Sequence, residues 1–141
     1  MKRKLLILPL LFLLLGTSVF AQTIQDDKFK TIGYLKADGK IQDAKYVTIG
    51  YITKDGKVQD KGFKTIGYIK NDGKIQDDKF KTIGCITSDG KVQDEKFRTI
   101  GYVKKDGTVQ NDKFKTIGYA KGIPQRWAAV YFFFFKFKWL F

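Results

Sequence analysis

Five tyrosines, Tyr34, Tyr51, Tyr68, Tyr102 and Tyr119, each follow Thr-Ile-Gly and precede an aliphatic residue, with a Lys two residues on in four of the five. Aromatic rings repeated at fixed spacing beside cations suit stacking on sugar rings and attraction of anionic groups, so they are the candidate ligand-binding residues. Many shallow sites of that kind gain by avidity. The means for bond-breaking chemistry are sparse. The chain has no His, which removes the commonest general base and metal ligand. Cys85 is the only cysteine and stands where the other repeats carry Tyr. With no His to activate it, it reads as a small apolar substitute rather than a nucleophile, and it can form no intramolecular disulfide. No phosphate-cradling Gly loop and no zinc-ligand spacing occur. Paired acids such as Asp26-Asp27 and Asp77-Asp78 lack the alternating ligands and closing Glu of a calcium loop, and turn formation accounts for them. The expectation is a protein that is not an enzyme, with no metal and no cofactor.

Two functional classes remain. One is an exported, non-catalytic binding module for a glycan or an anionic envelope polymer. The alternative is a structural, envelope-associated protein whose C-terminal tail docks to the outer membrane or a partner. The formal charge of the whole chain is +13, or +10 without Lys2, Arg3 and Lys4. That balance favours anionic surfaces, although Lys also serves to keep strand edges from pairing with other chains. Export leaves nucleic acid out as a partner.

These residues sit in a repeat. Thr-Ile-Gly begins at Thr31, Thr48, Thr65, Thr82, Thr99 and Thr116, always 17 residues apart, a strong sign of a repeat architecture. Asp38-Gly39, Asp55-Gly56, Asp72-Gly73, Asp89-Gly90 and Asp106-Gly107 read as two-residue hairpin turns, since Gly accepts positive φ freely. A longer apolar stretch such as Phe63 to Ile69 precedes each turn, and a shorter one such as Lys74-Ile75-Gln76 follows. Segments this short predict β-hairpins and exclude a helical solenoid. Period two puts Phe63, Thr65, Gly67 and Ile69 on one face and Lys64, Ile66, Tyr68 and Lys70 on the other. The uncharged first face is assigned to the core. The Gly in every long strand predicts a bulge or a close backbone approach, with the glycines gathered about a shared axis.

Ile24-Gln25-Asp26 lacks a partner strand, and so does Thr116 to Ala120. Each is the half the other needs, so the hairpins are predicted to close into a ring without exposed edges. An open hairpin solenoid is the alternative and would need distinct caps. The TIGY-x-x-x-DG units, the preceding apolar segment and the ending in Trp127 to Tyr131 with a Phe run resemble the bacterial exported five-fold β-flower proteins. The resemblance implies a closed array of β-hairpin petals in an exported bacterial protein. It brings no activity, substrate or catalytic residue with it. Closure through the split halves would make six petals rather than five.

After Gly122-Ile123-Pro124 the repeat stops, and Ala128 to Phe135 is continuously apolar. Such a run reads as a strand buried on both faces, filling the ring interior or one open end. Phe133, Phe135, Phe137, Trp139 and Phe141 then alternate with Lys136, Lys138 and Leu140, a pattern similar to the terminal recognition strand of outer-membrane barrels. Membrane contact by the tail is therefore the second reading of it. At the other end, Lys2-Arg3-Lys4, the apolar run Leu5 to Leu15, and Val19 and Ala21 form a secretory signal with cleavage expected after Ala21. The apolar run is short of the roughly 20 residues a spanning helix needs, and without a cysteine the segment does not suit a lipoprotein. The expected organisation is a signal at 1–21, a hairpin-repeat domain at 22–121 and an aromatic tail at 122–141. The expected location is the periplasm, the outer membrane or the exterior.

Overall fold

The computed structural model describes residues 22–139; the segment read as a signal lies outside them, as do the last two residues. Six Thr-Ile-Gly strands alternate with six others, which are shorter between the two ends of the repeat: β1 (Gln22–Asp26), β2 (Thr31–Leu35), β3 (Lys40–Asp43), β4 (Thr48–Ile52), β5 (Lys57–Asp60), β6 (Thr65–Ile69), β7 (Lys74–Asp77), β8 (Thr82–Ile86), β9 (Lys91–Asp94), β10 (Thr99–Val103), β11 (Thr108–Asn111) and β12 (Thr116–Tyr119). All twelve form one closed antiparallel barrel in sequence order. The closing seam is β1 on β12, with Gln25 opposite Tyr119 and Asp26 opposite Gly118. The halves left unpaired in the sequence complete a sixth petal, so the ring rather than the open solenoid forms, and it leaves no strand edge for another chain to extend.

Each pairing of a short strand with the next long one carries a bulge. Ile24 faces Gly33 and Gln25 faces Thr31, so Ile32 is the extra residue, and the shift recurs at every equivalent junction. A bulge bends and twists the strand, which lets such short strands curve around a narrow interior. The core takes two aliphatic residues from most petals. Ile24, Ile41, Val58, Ile75, Val92 and Val109 of the short strands are wholly buried, and Leu35, Ile52, Ile86, Val103 and Ala120 at the long-strand ends nearly so.

The loops alternate between the two ends of the barrel. At one end each Asp-Gly lies in a longer loop than the two-residue turn the sequence suggests. Lys36 N–H donates to Lys40 O at 2.9 Å and Gly39 N–H to Lys36 O at 2.9 Å, and of these residues Gly39 alone has positive φ (92°). This is a type I turn closed by a residue in the left-handed region, the three-residue hairpin loop; a mirror-image two-residue turn would need two positive φ values. Asp38 Oδ1 accepts from Lys40 N–H at 3.0 Å, so the carboxylate shapes the loop.

The tail is helical, which corrects the expected strand. Helix α1 (Gln125–Ala129) runs into a π-helical turn, Val130–Phe134, and then a short 3-10 turn, Lys136–Trp139. It enters from the Asp-Gly end and fills the barrel, with Ala128, Ala129, Val130 and Tyr131 wholly buried. Its aromatics make one circuit of the ring. Tyr131 meets Gly33, Phe132 meets Gly118, Phe133 Gly101, Phe134 Gly84, Phe135 Gly67 and Phe137 Gly50. A Cβ on Gly84 would stand 2.3 Å from Phe134 Cε1, so the wall glycines make room for those rings. An α-helix advances about 100° per residue, too far to hand successive rings to successive petals of a six-petal ring. The widened π turn and the extended Phe135 that follows it come closer to that spacing, and a π turn of this kind commonly marks a constraint imposed by function or packing.

Candidate aromatic binding rim

At the opposite end, six loops have the same backbone as the Asp-Gly loops but a different residue at the left-handed position. Phe29, Tyr46, Phe63, Phe80, Phe97 and Phe114 all have φ between 62° and 68°. Asp26 N–H donates to Lys30 O at 2.9 Å and Phe29 N–H to Asp26 O at 3.1 Å. Asp26 Oδ1 accepts from Lys28 N–H and Lys30 N–H, each at 2.9 Å. The same two bonds recur in the other five loops, with Asn111 in place of Asp in the last. An amide that serves equally well shows that these acids act as turn acceptors. Among the described residues no group of three or more His, Cys, Asp or Glu could hold a metal ion.

A bulky residue at positive φ costs about 1–2 kcal/mol. The six rings nevertheless stand in the open: Phe29, Tyr46, Phe63, Phe80 and Phe114 are 62 to 65% exposed. This corrects the assignment of Phe63 to the core face; the strand alternation ends at Thr65, and the loop turns the Phe outward. Gly67, by contrast, is buried as expected.

The candidate tyrosines are half-buried beneath these rings. Tyr119 stacks on Phe29, Tyr34 on Tyr46, Tyr51 on Phe63, Tyr68 on Phe80 and Tyr102 on Phe114, with centroids 4.4 to 4.7 Å apart and planes within 12 to 17°. The Tyr119–Phe29 pair spans the closing seam. In the one pair of two tyrosines, the Tyr34 hydroxyl donates to that of Tyr46 at 3.1 Å, and this bond, aided by slight desolvation, raises the Tyr34 pKa. Each Tyr is thus the base of a two-ring stack, and the ring presented to solvent is the Phe or Tyr twelve residues later, or Phe29 across the seam for Tyr119. The sequence held a signal for this. The aromatic lies three residues after the first residue of its loop, the same place that Gly occupies in Lys-Ala-Asp-Gly.

In the remaining petal Cys85 replaces Tyr. Its thiol donates to Gln93 Oε1 at 3.2 Å, and burial pushes its pKa up, the reverse of what a reactive thiolate needs. Phe97 has no ring beneath it and is 76% exposed.

A family model described as 5-fold beta-flower protein matches residues 21–136. The chain belongs to that family, and its own ring has six petals. The family's description names an architecture and no reaction. No curated protein and no solved structure matches the chain.

Proposed function

We propose that the protein is an exported, non-catalytic binding module whose aromatic rim engages glycans of the cell envelope or its surroundings at several equivalent points. The observation that carries this reading is the set of six exposed rings held at positive φ. Strained backbone retained at repeated positions calls for a compensating use, and exposed apolar surface gathered at one end of a molecule commonly marks an interaction site. Phe97 keeps its place without a stacking partner, so the packing of the pair is not the whole reason for the ring. Lys or Arg follows the ring in five of the six loops, which suits polymers carrying negative charge. The tail residues Val130 to Phe132 lie inside the ring, so the outer aromatics, and not the tail, support this reading.

The test is binding of the chain from Gln22 onward to an array of bacterial surface and acidic glycans. Multivalent attachment predicts that Phe63→Ala and Phe80→Ala each weaken retention about three-fold, and that the pair loses more than ten-fold, with the fold intact by circular dichroism. Retention unchanged in the double variant would sink the proposal.

A further inference from the structure

The Asp-Gly end is nearly six-fold symmetric except where the tail crosses it. Helix α1 is tied down at two points. Gln125 Nε2 donates to Val103 O at 2.7 Å on one side, and Arg126 Nη1 to Lys70 O at 3.3 Å on the other. Between the loops at Thr53–Gly56 and Lys70–Gly73, beside the helix, lies a cavity of about 280 Å³. A second cavity of about 110 Å³ shares Asp55, Ile69, Lys70 and Asn71 with it and reaches Tyr68. Together they make one groove with Trp127 at its inner end and Tyr68 at its outer end. Ile69 on its floor is half-buried, whereas the equivalent Leu35, Ile52, Ile86, Val103 and Ala120 are buried. Of the six equivalent strand-end residues, Ile69 is the one left partly open to solvent.

The charge around the groove is one-sided. Lys54, Lys70 and Arg126 line it, and among the described residues the salt bridges involve other cations. The single carboxylate, Asp55, accepts from the Thr53 hydroxyl. That bond first, and then the nearby Lys57, holds its pKa down, so its acceptor capacity is turned into its own loop. An indole, an aliphatic floor, a tyrosine and three cations against one carboxylate form a complementary surface for a ring with one apolar face and an acidic substituent. The groove offers about 280 Å³ beside the helix and about 110 Å³ toward Tyr68. That is the small end of the range for ligand pockets, about 300–1,000 Å³, which suits one sugar ring rather than a chain.

We infer that this groove is a binding site for a single acidic sugar, a pyranose bearing a carboxylate or a phosphate. It uses none of the exposed rim rings; Tyr68, at its outer end, is the half-buried partner beneath Phe80. The experiment is amide chemical-shift titration of the chain from Gln22 onward with glucuronic acid, glucose 1-phosphate and glucose. Both acids should give saturable shifts at Gly56, Asn71 and Arg126, with glucose at least ten-fold weaker; the tighter of the two acids identifies the substituent. Lys54→Ala removes an exposed side chain that makes no hydrogen bond within the described residues, so it should leave the fold intact and weaken the acids about five-fold. Lys40→Ala, the same charge change at another petal, should alter them less than two-fold. Glucose binding as well as the acids, no shift at these amides, or equal losses in the two Lys variants would each overturn the site.

Discussion

The two rims of the barrel are built on one loop and use it differently. Both close a type I turn with a residue in the left-handed region, yet one rim fills that position with Gly and the other with an aromatic. At the Gly rim the loop is packed against its neighbour. Ile52 N–H donates to Gly39 O at 2.8 Å, and the same bond joins Ile69 to Gly56, Ile86 to Gly73, Val103 to Gly90 and Ala120 to Gly107. A Cβ on Gly39 would stand 1.8 Å from Ile52 O. Here Gly is required twice over, by φ and by the backbone of the next petal. The aromatic rim has no such neighbour, so the left-handed position is free to carry a side chain at a conformational cost. One rim holds the ring together, and the other has surface to offer.

The largest expected effect is at the Gly rim. Gly73→Val places a β-branched residue at φ 95°, with its Cβ 2.3 Å from Ile86 O. It also disrupts the 2.9 Å bond from Ile86 N–H. Strain of this kind together with a lost inter-petal bond should cost about 3 kcal/mol or more. Asp72→Asn keeps an acceptor for Lys74 N–H and should cost less than about 1 kcal/mol. Urea melts of the two variants provide the measure; comparable losses would mean that the Asp carboxylate, rather than the glycine backbone, holds this rim.

Between the rims, five wall glycines face Phe edges and the sixth, Gly33, faces the Tyr131 hydroxyl. That hydroxyl is buried with no hydrogen-bond partner. Burial first, and then the Asp43 charge, pushes its pKa up to about 12. An unpaired buried hydroxyl costs about 1–3 kcal/mol, so Tyr131→Phe should gain about 1 kcal/mol and make the interior uniform. The sign of its pH dependence follows from linkage. The folded state favours the neutral phenol, so the stability tied to it is complete below pH 10, the ordinary Tyr value. It is lost as pH rises from there toward about 12. The advantage of Tyr131→Phe over the parent should therefore widen across that window. A constant difference, or a loss at neutral pH, would show that the hydroxyl is satisfied in solution.

Ring closure was legible in the sequence because Ile24-Gln25-Asp26 and Thr116 to Ala120 are complementary halves of one unit, and only pairing them uses both. The tail was not. A run such as Val130 to Phe135 has no polar residue to set a period, and aromatic content favours a strand. What makes it helical is outside the segment, in six glycine-lined slots each waiting for a ring. Phe63 was placed in the core for a related reason. Period two was carried back from Thr65 into a loop where it does not hold. Spacing singled out the tyrosines, but it does not reveal that another ring covers each of them, twelve positions later in four petals and across the closing seam for Tyr119.

The smallest expected change in stability belongs to the aromatic rim, and it separates the two rims most sharply. Phe80→Gly should relieve about 1–2 kcal/mol of left-handed strain. It should lose about 0.5–1.5 kcal/mol of stacking on Tyr68, and Gly adds about 0.5–1 kcal/mol of backbone entropy to be lost on folding. Phe80 is already 62% exposed, so little further burial is forfeited. These terms nearly cancel, and the melt should move by less than about 1 kcal/mol. The same variant removes one outward ring from the rim, and the proposed function predicts that it weakens glycan retention to the same extent as Phe80→Ala. An unchanged melt with weakened retention is the signature of a rim kept for its surface. A loss above about 2 kcal/mol would instead make the Tyr68–Phe80 stack a staple between petals, and the contrast between the rims would be one of degree.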